Sequence, residues 1–194
     1  MSKSPNENSN KLINYTIKVD GTAIKLGVPI SSVFIEKSFQ YDKAQVRIHE
    51  GLQDAFSICE SKDFTPGRTI EILLGYEKDE TSVFKGMISA HGITMISQVP
   101  TLTLFCSNEK QLEQDSAYKE PVLSVVYGTD VLDFDMTVNT SALKKGSVTF
   151  QGYPLLPGNV LALDGFGTRF DGNVSLTAIE HHVFDSMWTT KAEW

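Results

Sequence analysis

The feature that most constrains this chain is one that it states twice. Phe64-Thr65-Pro66-Gly67 opens an apolar run from Thr69 to Leu74, which closes at Gly75 and is followed by Phe84-Lys85-Gly86 and Met87-Ile88-Ser89. Pro157-Gly158 opens a second run from Val160 to Leu163, which closes at Gly165 and is followed by Phe170-Asp171-Gly172 and Asn173-Val174-Ser175. Proline fixes φ at the first corner of a turn and glycine accepts the positive φ after it, so each Pro-Gly predicts a type II turn that enters a strand. Gly75 and Gly165 predict the reversal, Phe84 and Phe170 an aromatic returning over the same face, and Gly86 and Gly172 a close approach of backbones. Each unit is a hairpin of a small barrel or sandwich. Two copies in 194 residues favour two small domains over one large one.

Most of the remaining chain reads as strands. Tyr15 to Val19 alternates faces, Asp20-Gly21 supplies a tight turn, and Thr22 to Leu26 returns. Ile30 to Phe39 is a longer strand with Val33 and Ile35 on one face, and Ala44, Val46 and Ile48 share a face of the next. Thr69 to Leu74 pairs with Ser82 to Thr94, and Leu102, Leu104 and Cys106 form one face of Thr101 to Cys106. Only Gly51 to Lys62 in this half has helical spacing, through Leu52, Ala55, Phe56 and Cys59. The second half offers Val122 to Tyr127, Leu132 to Val138, Ser147 to Gln151, the second Pro-Gly unit and Val174 to Phe184, with a polar seam from Asn139 to Gly146. The expected organisation is a flexible N-terminus (1–11), a first β-barrel domain (12–112), a polar joint closed by Pro121 (113–121) and a second β-barrel domain (122–194). The fold class is all-β with minor α.

A net charge of −7 and a pI near 5.1 exclude a nucleic-acid surface, which needs a clustered positive field. Cys59 and Cys106 sit far apart among apolar residues and read as reduced core thiols rather than a bridge. No run reaches the roughly 18 apolar residues of a membrane span, and the Ser-, Asn- and Lys-rich N-terminus lacks an apolar signal core, so the expected place of synthesis and assembly is the cytoplasm.

Glu180-His181-His182 with Asp185 invites a metal reading, but neighbours on a strand point to opposite faces, which sets one histidine inside and one outside. Asp130, Asp133 and Asp135 read as carboxylates alternating along a strand, which share a face and could hold calcium, yet no glycine-bearing calcium loop accompanies them and a solvated acidic face explains them as well. There is no phosphate loop and no nucleophile elbow. The residues predict no catalytic group, no metal and no cofactor.

Gly146-Ser147-Val148-Thr149-Phe150-Gln151-Gly152, then Pro157-Gly158, Gly165, Phe170-Asp171-Gly172 and His181-His182-Val183-Phe184-Asp185-Ser186-Met187-Trp188-Thr189-Thr190, resembles the end of the tube-docking region of VgrG-type spike proteins. Phe64-Thr65-Pro66-Gly67, Phe84-Lys85-Gly86 and His91-Gly92 are similar to the opening barrel of that family and of the tail hubs of contractile phages. The resemblance covers the chain from about Tyr15. It implies a homotrimer in which six similar barrels make a pseudo-sixfold ring, joining a hexameric tube to a trimeric spike in a type VI secretion or phage-tail-like injection machine. It further implies spike or baseplate partners, no enzymatic activity in this region, no membrane insertion by this segment, and any exit from the cell as part of the particle. Where members usually carry a sizeable domain between the barrels, this chain has only Glu109 to Pro121.

Two other classes stay open on the residues alone. A small-ligand or carbohydrate-binding β-barrel would show an exposed aromatic cluster over an open barrel mouth, with Phe184 and Trp188 as candidates. An enzyme would need a pocket in which His49, His91, His181 or His182 meets a carboxylate.

Overall fold

The computed structural model describes residues 4–8, 11–24, 27–49, 58, 61–96, 98–109, 119–138 and 144–194. The helical spacing expected over Gly51–Lys62 falls mainly outside the described residues, as do Cys59 and most of the 113–121 joint. Among the described residues the helical elements are two short 3-10 turns, Pro5–Asn8 and Lys62–Phe64.

Everything else regular is strand. The first half gives β1 (Ile13–Val19), β2 (Thr22–Ala23), β3 (Ile30–Ser38), β4 (Tyr41–His49), β5 (Thr69–Tyr76), β6 (Asp79–Ile96) and β7 (Val99–Glu109). The second gives β8 (Leu123–Val126), β9 (Val131–Val138), β10 (Lys144–Gln151), β11 (Val160–Asp164), β12 (Gly172–Ser175), β13 (Ala178–Phe184) and β14 (Met187–Glu193). The protein is all-β. Two differences from the sequence reading concern the second half. The polar seam ends early, because Lys144 and Lys145 already pair with Val138 and Thr137 on β9. The run from Val174 to Phe184 is broken into β12 and β13, and a further strand, β14, follows a two-residue turn at Asp185 (φ 49) and Ser186 (φ 59).

The strands form two sheets, one of 11 strands in the order β2-β1-β5-β6-β7-β4-β3-β13-β14-β10-β9 and one of 3 in the order β12-β11-β8. Strict alternation writes the core: along β4, Asp42, Ala44, Val46 and Ile48 are buried while Lys43 and Arg47 are exposed. Two cores result. One gathers Ile17, Ile35, Val46, Ile48, Ile72, Leu74, Phe84, Leu102 and Leu104, the other Leu123, Val125, Val148, Phe150, Leu155, Leu161 and Ile179.

The two halves are continuous through one seam. β13, from the second half, pairs antiparallel with β3, from the first, in seven registered positions from Ala178↔Ser38 to Phe184↔Ser32. Val183 and Trp188 pack into the first core while Ile179 and Ala192, on the same hairpin, pack into the second. The two cores are distinct, but the large sheet runs past both, so the two halves are tied by more than a polar joint.

The N-terminus is also more ordered than its composition suggests. Ser4 donates its hydroxyl to Asp130 Oδ1 at 2.7 Å, Pro5 is buried, and the Pro5–Asn8 turn packs against β8 and β10. A flexible 1–11 segment does not describe Ser4–Asn8, because a proline that removes apolar surface from water and a buried carboxylate acceptor both hold it down.

Candidate functional site

The two Pro-Gly units match at their entry. Gly67 and Gly158 have φ of 91° and 85°, the left-handed values a type II corner demands. Gly67 N–H donates to Ile88 O at 2.8 Å and Ile88 N–H returns to Arg68 O at 2.9 Å; Gly158 N–H donates to Leu176 O at 2.8 Å and Leu176 N–H returns to Asn159 O at 2.9 Å. Each turn is thus clamped to its returning strand by the same pair of bonds. Pro66 and Pro157 occupy equivalent positions.

Counting along the ladders from these anchors changes the other equivalences. Ile70 pairs with Gly86 and Leu161 with Val174, while Ile72 pairs with Phe84 and Leu163 with Gly172. Gly86 therefore corresponds to Val174, and Gly172 to Phe84. Phe84 is buried in the first core, whereas Phe170 lies in the turn before β12, its N–H bonded to Gly167 O. The glycines differ in cause as well. A Cβ at Gly86 would lie 2.5 Å from Ser107 O and 2.7 Å from Phe84 Cζ. Gly172 has open space, its nearest neighbour being Lys144 Nζ at 3.5 Å, but a φ of +118° that side chains rarely accept. Gly75 is not at the reversal, which Glu77 makes at φ 56°; a side chain there would run into the backbone of Asp79. Gly165, at φ 80°, does open its turn.

At the seam lies a buried polar group that sequence reasoning placed but did not explain. His181 is fully buried and His182 is exposed, as alternation requires. His181 Nδ1 is 3.0 Å from Thr190 Oγ1 and 3.4 Å from Trp188 Nε1, and Thr190 Oγ1 in turn accepts Tyr153 N–H at 2.9 Å. Its Nε2 is buried without a hydrogen-bond partner. Burial first, and the nearby Lys37 ammonium second, hold this imidazole down to about 3, so it is neutral at ordinary pH. Lys37 is itself buried and donates to Val83 O at 2.7 Å. Trp188 stacks on Tyr76 with ring centroids 5.4 Å apart and also occupies the space a side chain at Gly152 would need. Gly152 stands in the quoted VgrG-like motif, but nothing in its local spacing announces a tryptophan from a distant strand.

The acidic residues do not converge on one ion site. Asp130 is buried and accepts Val126 N–H at 2.9 Å as well as the Ser4 hydroxyl, closing the turn between β8 and β9, while Asp133 and Asp135 are exposed. Among the described residues no group of three or more His, Cys, Asp or Glu side chains is placed to hold a metal. Cys106 is a buried free thiol, pushed up to about 12 by burial.

Two concave surfaces bear on the other readings. A cleft of about 430 Å³ at the end of the first core is lined by Tyr15, Ser32, His49, Phe184 and Asp185. Among the described residues no hydrogen bond or ion pair joins His49 to Asp185. His91 Nδ1 is engaged with Phe64 O at 2.9 Å, and His182 lies between Phe34 and Phe184. At the open end of the second core, Tyr127, Phe134 and Phe166 form a triangle of rings with centroids 5.5–5.6 Å apart. With Met136, Gly165 and Phe170 they line an apolar mouth of about 130 Å³. An exposed aromatic cluster therefore exists, built from rings other than Phe184 and Trp188. Two polar groups at its rim are engaged: Lys144 Nζ donates to the carbonyls of Phe170 and Asp171, and Asp171 Oδ1 accepts Phe166 N–H at 2.8 Å.

The family model described as the Alg8 N-terminal domain matches residues 9–112 and 136–185. No curated protein matches in sequence. Among solved structures the fold is similar to a tail protein from Neisseria meningitidis MC58, at 9% identity and a TM-score of 0.66, covering 94% of this chain and 96% of that one. It is similar to the 43 kDa tail protein of prophage MuSo2 from Shewanella oneidensis, at 8% identity and a TM-score of 0.68, covering 93% and 97%. It is also similar to the E. coli c3393 protein, described as a type VI secretion component with structural similarity to the T4 bacteriophage tail proteins gp27 and gp5, at 8% identity and a TM-score of 0.61, covering 91% and 75%. It is similar as well to a Francisella PdpA-VgrG complex, at 8% identity and a TM-score of 0.50, covering 95% and 57%, so the fold is that of phage tail and VgrG-like proteins, in agreement with the resemblance read from the motifs.

Proposed function

The chain belongs to the family of the Alg8 N-terminal domain, and from its fold, which is that of phage tail proteins, we propose that it is a structural part of a contractile injection machine. It acts as the hub that seats a trimeric spike on a hexameric tube. The observation that carries this reading is the near end-to-end correspondence with two tail proteins. The matched clamps at Gly67 and Gly158 supply its physical logic. A threefold object meets a sixfold ring only if each subunit presents two similar surfaces, and one chain with two equivalently anchored hairpins can do so. The division into domains at 12–112 and 122–194, the homotrimer, and the tube, spike and baseplate partners are parts of this proposal, as is assembly in the cytoplasm with exit only in the particle. The protein does no chemistry in it: the one deeply buried histidine is sealed from solvent, and His49 and Asp185 share a cleft without engaging.

A carbohydrate-binding or small-ligand barrel is favoured by one observation, the aromatic mouth around Phe134. Sugar recognition needs a flat ring face beside free hydrogen-bonding groups. Here Tyr127 and Phe166 both meet Phe134 edge-on, and Lys144 and Asp171 at the rim are turned to the protein's own backbone, so the hub reading is the stronger.

The test is mass by light scattering, followed by electron microscopy of assembled particles. A trimer, or a threefold ring at the tube end, is expected. A stable monomer that joins no threefold or sixfold assembly overturns the proposal.

A further inference from the structure

We propose that the open edge of β9 and the aromatic mouth beside it form one docking site, and that its occupant is an extended segment of a partner protein whose side chains alternate basic and bulky apolar. β9 ends the large sheet and pairs among the described residues with β10 alone. A register shift between Thr149 and Phe150 leaves Leu132 unpaired, but from Asp133 to Val138 the ladder is regular. Among the described residues its outer side therefore offers a row of N–H and C=O groups that no strand pairs, the template on which an added strand forms.

The two faces of β9 dictate what the added strand must carry. Phe134 and Met136 lie opposite Val148 and Gly146 and point inward, where they line the apolar mouth; Phe134 is 46% exposed there. A strand added about 4.8 Å away sets alternate side chains beside them, and about 130 Å³ suits one leucine, methionine or phenylalanine. Asp133 and Asp135 point to the other face, and both are exposed. Asp135 has no hydrogen-bond or ion-pair partner among the described residues, and Asp133 lies within electrostatic reach of Lys191, which is engaged with Glu193 and Glu180. Residues opposite them on an added strand gain by being Lys or Arg. The site thus reads basic, apolar, basic.

A second copy of this chain does not fit. Among its described residues the basic-apolar-basic triplet is Arg47-Ile48-His49, and it is locked in an interior strand with Ile48 fully buried. The inference does not depend on the trimer, since the edge, the mouth and the acids belong to a single chain.

The probe is a fluorescein-labelled peptide TKLRVKLT, read by anisotropy against the full chain at low salt, beside TELEVELT. The basic peptide should bind at least about tenfold more tightly and weaken as salt is raised. The double substitution Asp133→Lys with Asp135→Lys, both at exposed positions, should reverse the preference. Two versions N-methylated along opposite edges separate strand addition from charge attraction: one should bind and the other should not. Equal binding of the two charge types, equal behaviour of the two methylated peptides, or a preference unmoved by the double substitution each overturns the inference. So does a change in oligomeric mass on the double substitution, which would make β9 an interface between copies. A failed peptide experiment beside an intact trimer would leave the hub reading standing.

Discussion

Lowering the pH from about 7 to about 4.5 should cost the fold about 2.5 kcal/mol through His181 alone. The imidazole is fully buried, Nε2 has no hydrogen-bond partner, and Lys37 adds a like charge. Its proton affinity is held down to about 3 in the folded protein, against about 6.5 in an unfolded chain. Between those values the unfolded state binds a proton that the folded state refuses, so stability falls as pH falls. The contribution is absent above about pH 6.5 and grows by about 1.4 kcal/mol per pH unit below it. Asp20 and Glu71, whose carboxyls are held low chiefly by hydrogen bonds from Thr69 and Ser82, add their own acid sensitivity only as carboxylates begin to protonate. The window above about pH 4.5 therefore belongs mainly to the histidine. The assay is urea unfolding across this window for the wild type and for His181→Leu. The variant loses the contact with Trp188 Nε1 and should be weaker by about 1 kcal/mol at neutral pH, yet its stability should decline less on acidification, so that the two curves converge or cross. Parallel curves would refute the reasoning, since they would mean that the imidazole titrates alike in both states.

Gly86→Val should destabilise by about 1–3 kcal/mol because the new side chain has no room beside Ser107 and Phe84. Gly172→Val should cost a comparable amount through backbone strain at φ +118°, so Gly172→Ala should lower the thermal midpoint nearly as much as Gly172→Val, the strain lying in the backbone and not in side-chain size. Asp130→Ala frees Val126 N–H and the Ser4 hydroxyl, which should cost about 1–3 kcal/mol and make the N-terminal strap the first site of limited proteolysis.

The strands were legible because burial here follows simple alternation: Val33 and Ile35, Ala44, Val46 and Ile48, and Leu102, Leu104 and Cys106 face inward as their spacing requires. The Pro-Gly entries were legible because one dihedral demand picks out one residue pair. The equivalence of Gly86 with Gly172 was misread because it depends on register, set by which residue the turn clamps, Ile88 in one unit and Leu176 in the other. Pairing of β3 with β13 joins residues more than a hundred positions apart, and no local pattern records it. The same holds for the mouth, where Tyr127, Phe134 and Phe166 carry no local signal until the chain just past β8 and β11 meets the middle of β9.

The seam changes what duplication means mechanically. Two barrels on a flexible joint could tilt independently, whereas here the β13–β14 hairpin sends Val183 and Trp188 into one core and Ile179 and Ala192 into the other. Shearing the halves apart would break the seven-position β3–β13 ladder and draw a tryptophan out of its stack on Tyr76. Losing a buried aromatic alone costs about 3–5 kcal/mol in a core. His181 sits between these two sets of contacts, so a charge placed there by acid loosens the element that both cores share. On the hub proposal the two docking surfaces must keep a fixed spacing, and a shared hairpin would supply that rigidity where a polar linker would not.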